Sequence, residues 1–204
     1  RETTMRVALG SIRRKLLEDV GIEVGSRVVQ IHDVKDESSV PDDLTPNQLS
    51  KTADESPVRC LDKNSETAMM QTIDNAKTSG DSVGGIFEVI ATGLPYGLGS
   101  YRQWDRKLHA RISALMMSVN AFKGIEIGGG FGGSEKFGSE VHDEIGHDGE
   151  KFTRYSNNAG GIEGGMSNAQ PIVLRMAMKP IPTLIKPLRS VDIHTTEVKD
   201  AHKE

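Results

Sequence analysis

Tyr155-Ser-Asn-Asn-Ala-Gly-Gly-Ile-Glu-Gly-Gly-Met-Ser-Asn-Ala-Gln-Pro-Ile-Val-Leu-Arg-Met-Ala-Met-Lys-Pro-Ile-Pro-Thr183 changes character twice. Four glycines, Gly160, Gly161, Gly164 and Gly165, fall within six residues. The backbone there can enter the φ > 0 region and approach another backbone or a ligand closely. Residues 171–178 follow as an apolar, strand-like run. Lys179-Pro180-Ile181-Pro182-Thr183 then stops it with two prolines, a cation and a hydroxyl. Bare amides near a lysine suit an anion. The plainer reading of the same residues is a glycine-rich hairpin closed by a proline turn.

Around this stretch lie 204 residues, enough for one large domain or two small ones. Hydrophobic residues make up 36% and aromatics only 4%, so the core must be aliphatic and rich in methionine. The net charge of -4 gives no basic footprint, which argues against a nucleic-acid partner. The single cysteine, Cys60, cannot form an internal disulfide, and no Cys/His cluster has zinc spacing. A reducing, cytoplasmic setting fits. No run approaches the length of a membrane span and no signal-peptide pattern opens the chain, so neither a membrane nor secretion is expected.

Upstream, Met5, Ala8, Leu9, Ile12, Leu16 and Val20 have helical spacing and Gly21 stops the helix. That helix has no cap before Arg1, which predicts a chain cut from something longer. Residues 22–32 read as a strand. Residues 33–57 turn polar, a surface excursion with one short helix after Thr45. Asp62 caps a predicted helix over 63–79 whose apolar face is Met69, Met70, Ile73 and Ala76, with Gly80 at its end. A strand over 82–94 alternates Phe87, Val89 and Ala91 with Ile86, Glu88 and Ile90. After the turn at 94–100, Asp105 is expected to cap a helix reaching Phe122, with Leu108, Ile112, Leu115, Met116 and Val119 on its buried face. Residues 128–158 form a glycine-rich, charged loop region. Its Gly128-Gly-Gly-Phe-Gly-Gly133 formally satisfies G-x-G-x-x-G, but the helix a dinucleotide fold needs there has no apolar stripe to build it. The histidines of His142-Asp-Glu-Ile-Gly-His147 are five apart and share no helical face, so the segment reads as an exposed loop rather than a metal motif. A last strand is expected over 191–195.

Several separated segments resemble the chorismate synthase family, in the family's order. They are Arg1-Glu-Thr-Thr-Met-Arg-Val-Ala8, Pro95-Tyr-Gly-Leu-Gly99, Met117-Ser-Val-Asn-Ala-Phe-Lys-Gly-Ile-Glu126, Asn158-Ala-Gly-Gly-Ile-Glu-Gly-Gly-Met-Ser-Asn168 and Lys179-Pro-Ile-Pro-Thr183. The resemblance implies an α+β fold, a β-α-β sandwich with helices packed between antiparallel sheets, over a partial domain spanning 1–204. It implies loss of phosphate from 5-enolpyruvylshikimate 3-phosphate in a 1,4-elimination that gives chorismate, in the shikimate pathway. Reduced FMN is the implied cofactor, with NADPH as a possible reductant of the flavin, and the implied assembly is a homotetramer. It also implies flavin binding by Asn120, Ala121, Gly165, Lys179, Pro180, Ile181, Pro182 and Thr183, with Lys179 meeting an anionic flavin group and Gly165 permitting close approach. Arg1 is implied to face the phosphorylated substrate. The family's histidine and Arg-Ser-Asp motifs are absent from these residues, so no catalytic residue is assigned and the chain alone is expected to be inactive. Ala169 stands where the family often has glycine, and His109 where it often has aspartate. Two other readings stay open: a noncatalytic FMN- or phosphate-binding module, and a Rossmann-type oxidoreductase.

Overall fold

The computed structural model describes residues 2–41, 43–150 and 152–201. In chain order the elements are α1 (Glu2–Asp19), β1 (Glu23–Ile31), β2 (Val34–Lys35), α2 (Pro46–Asp54), α3 (Lys63–Ser79), β3 (Gly85–Thr92), α4 (Leu108–Met117), β4 (Phe122–Ile127), α5 (Gly138–Val141), β5 (Ile145–His147), β6 (Phe152–Arg154), β7 (Ile162–Glu163), β8 (Met166–Ser167), β9 (Ile172–Met178), β10 (Arg189–Val191) and β11 (Val198–Asp200). Five strands form one antiparallel sheet in the order β2-β1-β3-β9-β4. β9, the apolar run after the glycine-rich loop, therefore lies between β3 and β4. Its burial alternates along the strand because every second side chain, Ile172, Leu174 and Met176, points to the face under α4.

The register sorts side chains onto two faces. Val28, Phe87 and Met176 lie opposite one another across β1, β3 and β9, on the face that α3 and α4 cover. There Leu108, Ile112 and Met116 of α4 pack on Ile172, Leu174 and Met176, and Met69 and Ile73 of α3 pack with Val28 and Ile31. Met176 and Met69 are wholly buried, each contributing about 1.5–3 kcal/mol in place of the scarce aromatic side chains. On the opposite face, Arg27, Glu88, Arg175 and Glu126 stand in register across four strands, alternating in charge. Arg27 and Glu88 are buried there and pair at 3.0 Å.

The mixed helix and antiparallel-sheet class holds. Of the expected sandwich, the described residues carry one large sheet, the other sheets being two-stranded, with α3 and α4 on one face and α2 against β1 on the other. No helix among them is long and apolar enough to cross a membrane. The Rossmann reading fails, because the sheet is antiparallel and Gly130–Glu135 forms a 3-10 turn followed only by the four-residue α5.

The stretch 33–57 is more than a surface excursion. Thr45 caps α2 through a capping box with Gln48, and Leu49 and Ala53 are among the most buried side chains of the chain. α2 lies against β1, where Gly25 permits the approach: a Cβ there would sit 2.0 Å from the Pro46 carbonyl oxygen. Asp36 ties the same stretch to α3, its carboxylate accepting from the amides of Ser38, Leu61 and Asp62. The helix expected from Asp105 to Phe122 is shorter. Trp104–Arg106 is a separate 3-10 turn, extended Lys107 breaks it from α4, and Phe122 already begins β4. The final strand is displaced as well: Asp192 accepts from the amides of His194 and Thr195, making a turn of residues expected to be extended. α1 forms as its spacing predicts, but Met5, Leu9, Ile12 and Leu16 remain exposed among the described residues.

Candidate functional site

Pairing of β4 with β9 sets Phe122 opposite Met178, so the residues just before β4 meet those just after β9. The Lys179 N–H donates to the Ala121 carbonyl at 2.9 Å. Ala121 holds φ at 73°, a left-handed conformation that costs a residue with a Cβ about 1–2 kcal/mol. It stops the chain after α4 and turns it into β4. On the far side, Ser82 Oγ donates to the Ile181 carbonyl at 2.7 Å, and Gly84 lets Pro180 pass close to its backbone. Asn120–Ala121 and Lys179–Thr183 are thus one constellation, assembled by strand register.

Its polar groups are uncommitted. Among the described residues the Asn120 amide, the Lys179 ammonium and the Thr183 hydroxyl form no hydrogen bond or ion pair. Asn120 and residues 180–183 are exposed, and Lys179 is half-buried. A cation held at a fixed backbone position beside a free amide, next to the exposed apolar surface of Pro180, Ile181 and Pro182, suits a flat ring bearing negative charge. These residues fit an anionic flavin. The adjoining groove of about 870 Å³, bounded by His32, Asp33, Asn75, Asp81 and Pro180, has no lysine or arginine among the described residues of its lining, so an anion favours the Lys179 side.

Gly165 lies elsewhere. Its carbonyl accepts from the amides of Ser100 and Leu108, at 3.3 and 2.8 Å, which places it at the first residue of α4. Asn120 lies three residues past its last, Met117. Ten helical residues, ~15 Å, separate the two. The Cβ that Gly165 lacks would sit 2.6 Å from the Ser100 carbonyl oxygen, so the missing side chain makes room for the chain itself. Gly164 is the glycine of that tip with open space beside it. Arg1 lies outside the described residues.

Sequence reasoning missed the residues that hold the glycine-rich loop. Ser167, 1% exposed, donates through Oγ to the Pro95 carbonyl and accepts from the Leu98 amide, while its backbone bonds Gly97 and Leu98. One buried serine thereby joins Pro95–Gly99 to Met166–Asn168. Asp143 was passed over inside what read as an exposed His-Asp-Glu loop. Its carboxylate accepts from Ser156 Oγ at 2.5 Å and from the amides of Asn158 and Ala159 at 2.7 and 2.9 Å. Burial pushes this carboxyl up, but those three bonds and the Arg154 charge outweigh it and hold it below the usual carboxylate range. A folded-state value below the unfolded one gives stability that is present above the unfolded value and lost as pH falls through the folded one. The Asn158 and Ala159 amide resonances are therefore expected to stay put down to about pH 4 and to move below it. Movement between pH 5 and 7 would contradict this.

Ala169 adopts φ 63°, in the region where glycine carries no penalty. Ala169→Gly is expected to stabilise the chain by about 1 kcal/mol, read as a rise in the urea midpoint at unchanged slope. A destabilisation would mean that the alanine methyl earns more by packing than its backbone loses.

The sequence profile of the chorismate synthase family matches residues 1–204. The chain belongs to the chorismate synthase family. It is 53% identical to chorismate synthase 2 of Bacillus cereus strain ATCC 14579, over all of this chain and 52% of the relative. It is 52% identical to chorismate synthase of Listeria welshimeri serovar 6b with the same coverage. A crystal structure of a chorismate synthase superposes with a TM-score of 0.81 at 44% identity, covering 89% of this chain and 56% of that one. The chain spans about half the length of the chorismate synthases it matches.

Proposed function

We propose that this chain carries the flavin-binding part of a chorismate synthase, which eliminates phosphate from 5-enolpyruvylshikimate 3-phosphate to give chorismate. The observation that carries the reading is the joining of Asn120–Ala121 to Lys179–Thr183 by β4–β9 pairing, with the Lys179 ammonium unpaired among the described residues. Reduced FMN, when bound, supplies electron density to the substrate as phosphate leaves. The chain's own residues bind and orient. Lys179 offsets negative charge on the flavin, the Asn120 amide and Thr183 hydroxyl offer hydrogen bonds, and the Pro180–Ile181–Pro182 segment gives the ring an apolar wall. Pre-set backbone at Ala121 and Lys179 means little reorganisation on binding. NADPH as the source of flavin electrons, a homotetramer as the assembly and the cytoplasm as its location belong to this reading. Arg1 is proposed to face the substrate phosphate.

No histidine among the described residues bonds to Asn120, Lys179 or Thr183. Anaerobic incubation of the 204-residue chain with reduced FMN and substrate is expected to show ligand binding without release of inorganic phosphate. Lys179→Ala should weaken FMN binding at least about tenfold, as loss of a charge-assisted hydrogen bond does. Unchanged affinity in that variant would remove Lys179 from the site. Binding of phosphate but not of FMN would favour the noncatalytic phosphate-binding reading instead.

A further inference from the structure

Lys179-Pro-Ile-Pro-Thr-Leu-Ile-Lys-Pro187 leaves β9 as a strap with no helix or strand of its own. Pro180 and Pro182 have no amide to give and fix their own φ, and the residue before each proline is steered to extended backbone. The strap is therefore stiff from 179 to 182 and cannot be zipped to a neighbouring strand. Among the described residues its backbone amides tie it at two places, the Lys179 N–H to the Ala121 carbonyl at 2.9 Å and the Lys186 N–H to the Gly80 carbonyl at 3.0 Å. Residues 180–185 lie between. The one hydrogen bond into that gap among the described residues comes from a side chain 99 positions away, Ser82 Oγ, which donates to the Ile181 carbonyl at 2.7 Å. Ser82 is placed for this by the end of α3. Gly80 is left-handed, φ 71°, and the Asp81 N–H turns back to the Ala76 carbonyl at 2.9 Å, a glycine-capped helix end that fixes where the loop to β3 emerges. Asp81 Oδ1 accepts from the Ser82 amide at 2.8 Å. Gly80 and Gly84, on either side of Ser82, make room for the strap: a Cβ on Gly80 would meet the Lys186 nitrogen at 3.1 Å, and one on Gly84 would meet Pro180 Cδ at 3.0 Å.

We propose that Ser82 is a positioning residue for the flavin: by holding the Ile181 carbonyl it sets the tilt of the stiff Pro180–Ile181–Pro182 segment, and with it the apolar wall offered to the ring. The proposal rests on the reading given under Proposed function. Ser82 acts through the strap rather than by contact with the ring. A segment pinned at its two ends and stiff in its first half can tilt as a body but cannot bend, so one hydrogen bond at Ile181 sets its angle. The Ile181 side chain is 64% exposed, so packing does not do the work of that bond. Lys179 is held separately, through Ala121, and its charge stays in place when the Ser82 hydroxyl is removed.

The test compares the unsubstituted 204-residue chain with Ser82→Ala, Ser82→Thr, Ile181→Ala and the double variant Ser82→Ala with Ile181→Ala. Without ligand, the carbonyl carbon resonance of Ile181 is expected to move in Ser82→Ala and to stay near its original place in Ser82→Thr, which keeps the hydroxyl. A resonance unmoved in Ser82→Ala would overturn the proposal. In FMN fluorescence titration, Ser82→Ala should bind about fivefold more weakly, as loss of one neutral hydrogen bond does, with Ser82→Thr within about twofold of the unsubstituted chain. The double variant shows whether Ser82 works through the wall. Its affinity should lie within about twofold of Ile181→Ala alone, because a wall already removed cannot be tilted. Losses that multiply would mark a merely structural role for Ser82 and overturn the proposal. Unchanged FMN affinity in Ser82→Ala would overturn it too and leave the flavin reading standing. Should Ser82→Ala fail to fold by circular dichroism, Ser82→Cys takes its place in each comparison, since a thiol fills the site but is a weak donor. Absence of FMN binding by the unsubstituted chain would sink the flavin reading and the proposal together.

Discussion

Gly160→Ala is expected to cost the chain on the order of 3–5 kcal/mol, a large share of the roughly 5–15 kcal/mol that holds a typical domain folded. Gly160 and Gly128 touch backbone to backbone. A Cβ on Gly160 would sit 2.3 Å from the Gly128 amide nitrogen, and one on Gly128 would sit 2.1 Å from the Asn158 carbonyl oxygen. Neither obstacle is a side chain that could swing away. The left-handed φ of 61° at Gly160 adds about 1–2 kcal/mol for any residue with a Cβ. The same contact carries two hydrogen bonds, Gly129 N–H to the Asn158 carbonyl at 2.7 Å and Val173 N–H to the Gly160 carbonyl at 3.3 Å, which a displaced loop would break. Chemical denaturation should show the loss, with Gly164→Ala as the control: it is also left-handed but faces open space, so only the backbone penalty of about 1–2 kcal/mol applies. Equal losses at both positions would mean that the close packing of the two loops contributes nothing.

Removing one partner of the Arg27–Glu88 pair should cost a similar amount, about 3–5 kcal/mol, for an electrostatic reason. Arg27 is 7% and Glu88 9% exposed, and the pair sits mid-sheet with Arg27 Nη1 also donating to the Ser38 carbonyl at 2.8 Å. Glu88→Gln leaves a buried guanidinium without its counter-charge. Arg27→Met leaves a buried carboxylate, with Arg175 as the nearest cation in the row. Replacing both by apolar residues, Arg27→Met with Glu88→Leu, removes the charge problem together with the attraction, and should recover most of either single loss. A double-mutant cycle in urea checks this. Additive losses in the double variant would show that the two residues stabilise the sheet independently rather than as a pair.

Much of the framework was legible because local chemistry and tertiary packing agree. The Asp62 cap, the apolar Met69–Ile73 face and Gly80 in a left-handed conformation bound α3 at its predicted limits. Strand alternation at Phe87, Val89 and Ala91 marks the covered face of β3. The end of α4 was illegible because the sheet overrides the helical pattern. Ser118 to Phe122 continues the helical spacing of apolar residues, yet pairing of Phe122 with Met178 pulls it into the sheet, and Ala121 takes a strained conformation that no propensity predicts for alanine. The burial of α2 was illegible because Leu49 and Ala53 are isolated in a polar stretch, and only a glycine on another strand, Gly25, makes room for the helix. For the site, the motif residues were visible in sequence but their grouping was not. Strand register joins Asn120 to Lys179, while α4 separates both from Gly165. Asp143 and Ser167 left no periodic signal, since each acts through hydrogen bonds to backbone far away in sequence.

The most direct test of the flavin site is fluorescence titration of the 204-residue chain with FMN under reducing conditions, with Lys179→Ala in parallel. Saturable binding that Lys179→Ala weakens at least about tenfold is the result that an unpaired Lys179 beside Asn120 predicts. No binding by a chain shown to be folded by circular dichroism would mean that Asn120–Ala121 and Lys179–Thr183 do not hold a flavin by themselves.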